Sequence, residues 1–261
     1  MQSPPDTYQN ETTLKYNYQG LIVGTTQYHG AGCNDVHFHE SPTICFLLNG
    51  GAIEERSQTA YERYANDARF YYAAEPHQSS VRVFPSKCIN LEFEAAFMRR
   101  YAISESAINH AVTKSLAIKF TMLKMHQELR AGDALGQPSI EMLLFELLDA
   151  KDKDARKIPS WMPALQDLLR DRWTENVSLE ELSVAAGAHP VTISKYFRRY
   201  FSCTLGEYMR KLKIEKSLPL IKDTGLSLTE IALQCGFADQ SHFTRNFKKT
   251  TGYLPKDFRR L

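Results

Sequence analysis

The chain has 261 residues, 43% of them hydrophobic and 24% charged, which is the balance of a globular fold with room for two domains of ordinary size. Its five cysteines (Cys33, Cys45, Cys88, Cys203, Cys235) are scattered and include no C-x-x-C pair, which argues against both a disulfide framework and a thiolate zinc site. The net charge of +2 is unevenly divided: residues 160–261 carry 16 Lys and Arg against 11 Asp and Glu, a balance of +5, and residues 1–159 carry 16 against 19, a balance of −3.

The opening stretch, MQSPPDTYQNETTLKY, has neither a basic n-region nor an apolar core, so a signal peptide is not expected. No apolar run approaches the roughly 18 residues that a membrane-spanning helix needs. Both observations point to the cytoplasm and to no membrane partner.

From about 20 to 94 the sequence reads as short strands. LIVGTTQYH, TICFLLN, GAIEER, RFYYAA and INLEFE are rich in β-branched and aromatic residues. Asn49-Gly50-Gly51 stands between two of these runs and predicts a hairpin, because Asn and Gly tolerate positive φ. A series of short antiparallel strands suggests a small barrel or jelly roll. Within it His37-x-His39 would put two imidazoles on one strand face, and His77 falls in a later turn. Three imidazoles could hold a divalent metal, but the residues that follow, Pro42, Thr43 and Ile44, add no acidic ligand. His37, His39 and His77 therefore read as residues bordering a small-molecule pocket, with no metal or other cofactor expected.

Beyond 95 the period becomes helical. Residues 113–130 form one predicted helix, with an apolar stripe at Leu116, Phe120 and Leu123 that suggests a two-fold, helix-against-helix dimer contact. Pro138 and Ser139 open a second helix over 138–150. KDKDARKIP, 151–159, is charged, lacks apolar periodicity and ends in proline, which marks a linker. The expected organisation is thus 1–150, a linker at 151–159, and 160–261.

The last hundred residues repeat themselves. Ser178-Leu179-Glu180-Glu181-Leu182 recurs as Ser227-Leu228-Thr229-Glu230-Ile231, and both have the S-x-x-E spacing of a capping box. Eight residues after Leu179 and Leu228 come Gly187 and Gly236, placed to end a short helix with positive φ. A second helix follows each, HPVTISKYFRRYF at 189–201 and DQSHFTRNFKKTT at 239–251. Ile193 and Phe197 match Phe243 and Phe247 as core positions, Lys195 matches Arg245, and Arg198-Arg199 match Lys248-Lys249. Helix, glycine turn and helix with an exposed polar face is the plan by which a helix-turn-helix enters the major groove. GEYMRKLKIEKSLPLIKD, 206–223, would be the joining helix, although Pro219 predicts a kink or an early end to it.

These residues resemble the AraC/XylS family of bacterial transcription regulators from about 160 to the end, most closely over SLTEIALQCGFADQSHFTRNFKKTTGYLPKDFRR. HFHESPTICFLLNGGAIEER and NDARFYYAAEPHQSS look like the cupin-like sensor barrels that accompany such domains. The resemblance implies an α+β chain with a cupin-like antiparallel barrel followed by helices, then an all-α domain of two helix-turn-helix units. It implies double-stranded DNA and RNA polymerase as partners, a possible small-molecule effector, a homodimer, and activation as the outcome.

Residue by residue, Val191, Thr192, Ser194 and Lys195 on the first helix, and Gln240, Ser241, His242, Thr244 and Arg245 on the second, occupy the N-terminal half that reaches base edges. Arg198, Arg199, Lys248 and Lys249 are placed for phosphates. Two other readings stand beside this one: a cupin metal enzyme with an accessory DNA-binding domain, and a ligand-independent co-regulator. No nucleophile–base pair, phosphate loop or carboxylate pair rises above background, so catalytic residues are not expected.

Overall fold

The computed structural model describes residues 10–30, 32–33, 35–115, 117–149, 159–201, 203–223 and 225–261. The chain divides into two compact units, residues 1–148 with Leu261, and residues 149–260. Residues 151–158 of the expected linker, and Leu116, lie outside the described residues.

The first unit contains one antiparallel sheet. Its strands are β1 (Asn10–Tyr18), β2 (Leu21–Tyr28), β3 (Gly32–Cys33), β4 (Thr43–Arg56), β5 (Thr59–Tyr64), β6 (Ala68–Tyr71) and β7 (Gln78–Phe93). The order is β1-β2-β7-β4-β5, with β3 on β7 and β6 on β4, and among the described residues the two ends of this path do not pair to close a barrel.

The two predicted runs TICFLLN and GAIEER are one strand, β4, so Asn49-Gly50-Gly51 is not a hairpin. The register slips there instead: Asn49 faces Lys87 and Gly51 faces Val83, which bends both strands. Gly50 has φ +84, and a Cβ at this position would lie 2.5 Å from the Ser86 Cβ, so only glycine fits the bend. The hairpin lies further on, at Ser57-Gln58, where both residues have positive φ between the paired Arg56 and Thr59. The strand β1, the strand β5 and the first half of β7 were not anticipated.

One face of the sheet buries Leu21, Val23, Ile44, Phe46, Ile89 and Leu91. Among the described residues four helices follow: α1 (Ala95–Arg100), α2 (Glu105–Lys114), α3 (Ile118–Ala131) and α4 (Gly136–Asp149). The single helix expected over 113–130 is broken, because Ser115 is extended and its hydroxyl accepts from the Ala117 amide to start a new turn. On α3, which packs against β4, Phe120 and Leu123 are buried inside their own unit. Those two side chains are therefore not a dimer stripe.

The second unit is helical: α5 (Trp161–Asp171), α6 (Leu179–Ala186), α7 (Pro190–Phe201), α8 (Leu205–Asp223), α9 (Leu228–Gln234), α10 (Gln240–Thr251) and α11 (Pro255–Phe258). The joining helix α8 runs through the exposed Pro219 without ending, so the helix is not shortened there. Its buried residues Tyr208, Leu212, Ile214, Leu218 and Ile221 form the spine on which α7, α9, α10 and α11 pack.

Candidate functional site

Each copy of the repeat in the second unit is built by the same local chemistry. The Ser178 hydroxyl accepts from the Glu181 amide at 3.2 Å, and the Glu181 carboxylate accepts from the Ser178 amide at 2.8 Å. Ser227 and Glu230 repeat both bonds at the same two distances. Both are complete capping boxes. The bond from the Ser178 amide, followed by the Arg172 guanidinium, pulls the Glu181 carboxyl down to about 2. The two helices then end alike, with the Ala188 amide donating to the Ser183 carbonyl and the Phe237 amide to the Ala232 carbonyl. Gly236 has φ +69, and a Cβ there would meet the Thr174 carbonyl oxygen at 2.5 Å.

The second helices, α7 and α10, are amphipathic in matched register. Ile193 and Phe197 are buried on α7, and Phe243 and Phe247 on α10. The Phe197 ring meets Tyr208 of α8 edge-on at 5.2 Å, and Phe247 meets Phe258 of α11 at 5.5 Å. These contacts leave the opposite faces outward. Lys195, Arg198, Gln240, Ser241, Arg245, Lys248 and Lys249 are exposed, and Val191 is 68% exposed. Thr192, Ser194, Arg199, Thr244 and His242 are half-buried.

The outward residues differ in how firmly they are held. Asp239 caps α10 by accepting from the His242 amide at 2.7 Å, and among the described residues no ion pair engages Arg245. Its guanidinium is thus presented on a fixed helix with its fork of donors exposed. Gln240 is tethered: the Thr229 hydroxyl of α9 donates to its Oε1 at 2.7 Å. One of the two lone pairs of that oxygen is occupied, while among the described residues no hydrogen bond engages the side-chain NH2. His242 packs its ring edge-on against Phe237 at 5.5 Å, which makes it as much a core-facing residue as a surface one.

Three supporting residues were not legible in the sequence. Lys213 of α8 is buried and donates to the Gly236 carbonyl at 3.0 Å, pinning the second turn to the joining helix, and burial lowers its pKa. Arg259 donates to the Ile221 carbonyl at 3.1 Å and to the Leu226 carbonyl at 2.8 Å, closing the end of α8. Thr229 is the third. In sequence each looks like one more polar residue, since the partner lies 11 to 38 positions away.

In the first unit the three histidines do converge, though not on a regular strand. His37 and His77 form an isolated antiparallel bridge, with the His37 amide donating to the His77 carbonyl at 2.9 Å and the return bond at 2.8 Å. The Ala74 amide donates to the His39 carbonyl at 2.8 Å and holds the next residue of the motif. Ring centroids are 4.3 Å apart for His37 and His77, 5.0 Å for His39 and His77, and 5.7 Å for His37 and His39. Burial first, then the His77 and His37 imidazoles, push His39 down to about 4. Burial likewise lowers His77.

Behind these rings lies a buried polar network that was also not anticipated. The Glu54 carboxylate accepts from Arg56 Nε at 2.5 Å, from Arg63 Nη1 at 3.2 Å and from the Tyr71 hydroxyl at 2.5 Å. Burial alone would raise the Glu54 pKa, yet Arg63, Tyr71 and Arg56 together bring it below the ordinary value. The Tyr71 ring in turn lies 4.3 Å from His77 and 5.1 Å from His39.

Among known proteins, a family described as "Helix-turn-helix domain" matches residues 182–261. The transcriptional regulator GbdR of Pseudomonas aeruginosa is 27% identical over 137 residues, which cover 49% of this chain and 37% of that protein. The transcriptional activator RhaS of Salmonella arizonae is 28% identical over 143 residues, half of each chain. The match places a helix-turn-helix domain in the C-terminal region. The chain is also similar, at 20% identity and a TM-score of 0.37, to a solved AraC-type regulator from Chromobacterium violaceum, covering 38% of this chain and 89% of that one. The chain spans half or less of the length of these two curated relatives.

Proposed function

We propose that this chain is a sequence-specific DNA-binding transcription regulator in which α7 and α10 enter successive segments of the major groove. The observation that carries the reading is the duplication: two capped helix–turn–helix units, with the same core positions and the same outward cations, set on one continuous helix. A single basic helix is common among surface helices, whereas two in matched register are what a bipartite operator requires.

In this reading Arg245 and Gln240 read base edges, as do Lys195, Thr192, Ser194 and Val191 on α7, with Ser241, Thr244 and His242 beside them. Lys248, Lys249, Arg198 and Arg199 neutralise phosphates. The first unit is the effector-responsive part, with His37, His39 and His77 at its polar site. Activation follows the resemblance to RhaS, whose name describes it as an activator, with RNA polymerase the partner that such a role implies. The chain then works in the bacterial cytoplasm and carries no catalytic step. Among the described residues no helix is long and apolar enough to cross a membrane. A homodimer would need exposed apolar residues such as Leu135 and Met142, which are 68% and 66% exposed, because Phe120 and Leu123 lie in the core.

The test is to map the DNA bound by the full chain in cells, then measure binding to the recovered segment and to a scrambled duplex across a salt series. A preference for the recovered segment of at least 10³-fold, at the low end for specific regulators, supports the reading. Equal binding of both duplexes would reduce the chain to a non-specific DNA binder.

A further inference from the structure

Two cysteines of the first unit have no part in the DNA-binding reading, yet the sheet brings them together. Cys45 on β4 is paired with Asn90 on β7, and Leu47, two residues on, is paired with Cys88. Residues two apart on a strand share a face, so Cys45 and Cys88 are diagonal neighbours on one side of the sheet. That side is the opposite of the one that buries Ile44, Phe46 and Ile89. Both cysteines are free thiols, and their sulfurs lie within hydrogen-bonding reach of each other.

The two sulfurs sit in different surroundings. Arg63 Nη1 and Nη2 lie 3.6 and 3.7 Å from Cys45 Sγ, and Nη2 also donates to the Cys45 carbonyl at 3.2 Å. A guanidinium keeps its charge at any working pH, so it favours the thiolate beside it. The hydrogen bond from Cys88 favours that thiolate more strongly still; burial opposes both, and the Cys45 thiol ends below its ordinary value. Cys88 Sγ lies 3.8 Å from the Thr26 carbonyl oxygen and 3.6 Å from Asn90 Nδ2. Its hydrogen bond to Cys45, together with burial, holds the Cys88 thiol well above the ordinary value. Cys45 is half-buried, whereas Cys88 is 2% exposed. One sulfur is thus a reachable nucleophile, and the other is a protonated neighbour behind it.

We propose that Cys45 and Cys88 form a reversible disulfide when the chain meets a peroxide, with Cys45 as the attacking sulfur and Cys88 as the resolving one. The Cys45 thiolate attacks one peroxide oxygen, the O–O bond breaks, and the leaving oxygen takes a proton from solvent to depart as water or an alcohol. Cys45 is left as a sulfenic acid. The Cys88 sulfur then displaces its hydroxyl, the S–S bond forms, and the hydroxyl leaves as water with the Cys88 proton. The two sulfurs lose two electrons in all, and the peroxide gains them. Diagonal neighbours sit about 7–8 Å apart at Cα, while a disulfide spans at most about 6.8 Å. The strands therefore have to approach by roughly 1 Å, and the register slip between Leu47 and Asn49 places an irregularity beside the pair that can absorb the movement. A bridge closed against such a cost is readily reduced, which suits a reversible modification better than a structural staple. The inference is independent of whether the second unit reads DNA.

The experiment exposes the full chain, reduced and desalted, to a few equivalents of hydrogen peroxide. The expected result is loss of two of the five thiols, a linked Cys45–Cys88 peptide, and full recovery with dithiothreitol. No Lys or Arg stands between Cys33 and Cys45, so tryptic mapping in the Cys33→Ser chain assigns the bridge. Cys88→Ser should stop the reaction at the sulfenic acid, which dimedone traps at Cys45. Cys45→Ser should slow thiol loss by about 10-fold or more, because the more exposed thiolate is gone. Cys203→Ser should change neither outcome. The peptide map of the oxidised chain needs no variant at Cys45 or Cys88, so it decides the matter even where one of them perturbs the sheet. Five thiols that survive peroxide, a bridge to another cysteine, or dimedone on Cys88 in preference to Cys45 overturns the proposal. Operator binding by the reduced chain reports separately on the DNA-binding reading.

Discussion

Arg245 and Lys248 sit three residues apart on α10, both exposed, yet their removal should be felt in different ways. Arg245 lies one turn into the helix, beyond a cap in which Asp239 is already engaged, so its guanidinium is available for bidentate contact with a guanine edge. Arg245→Ala should then cost about 1–3 kcal/mol on the operator, or roughly 5- to 150-fold in affinity, with little loss on scrambled DNA. Lys248 lies in the last turn, where a cation neutralises one phosphate. Lys248→Ala should flatten the slope of log K against log salt by about 0.9 on every sequence. Between 50 and 200 mM salt that slope alone changes affinity about 3.5-fold, so the effect is measurable by fluorescence anisotropy. Neither side chain contributes to the core, and thermal midpoints should stay near that of the unmodified chain. If Arg245→Ala lowers operator and scrambled affinities equally, α10 is not reading bases and its arginine acts only as a phosphate clamp.

Phe247→Ala removes a fully buried ring that touches Phe243 and Phe258, and should destabilise the second unit by about 3–5 kcal/mol in a denaturant titration. Ser227→Ala deletes the hydroxyl of a complete capping box and should cost about 1 kcal/mol, as should Ser178→Ala in the other copy; an effect at only one of them would show that the repeats are not equivalent in energy. Thr229→Val removes the hydroxyl that holds Gln240 while keeping its shape, so it should broaden base preference at one position of a binding-site selection without lowering the thermal midpoint by more than a few degrees. Unchanged preference would show that Gln240 does not depend on this tether.

The helix-turn-helix architecture was legible from sequence because its determinants are local. A capping box, a glycine eight residues after a leucine, and aromatic residues four apart each fix one turn of backbone. Their repetition identified both second helices to within a residue or so of α7 and α10. The strand region was less legible, since Asn49-Gly50-Gly51 satisfies the local rule for a hairpin. Only the β7 partner strand, crowding Gly50 with Ser86, makes the segment a bend within one strand. The stripe on α3 misled for a related reason: periodicity reveals that a face is apolar, and tertiary packing against β4 decides what covers it. Sequence likewise supplied His37, His39 and His77 but not their approach, which depends on a backbone bridge across 40 residues. What the sequence determined by itself was everything carried by neighbours within about one helical turn to a few turns. What only the tertiary structure decided was the pairing of distant polar groups (Lys213 with Gly236, Thr229 with Gln240, Glu54 with Arg63 and Tyr71), because burial makes such partners obligatory while leaving no periodic trace of who they are.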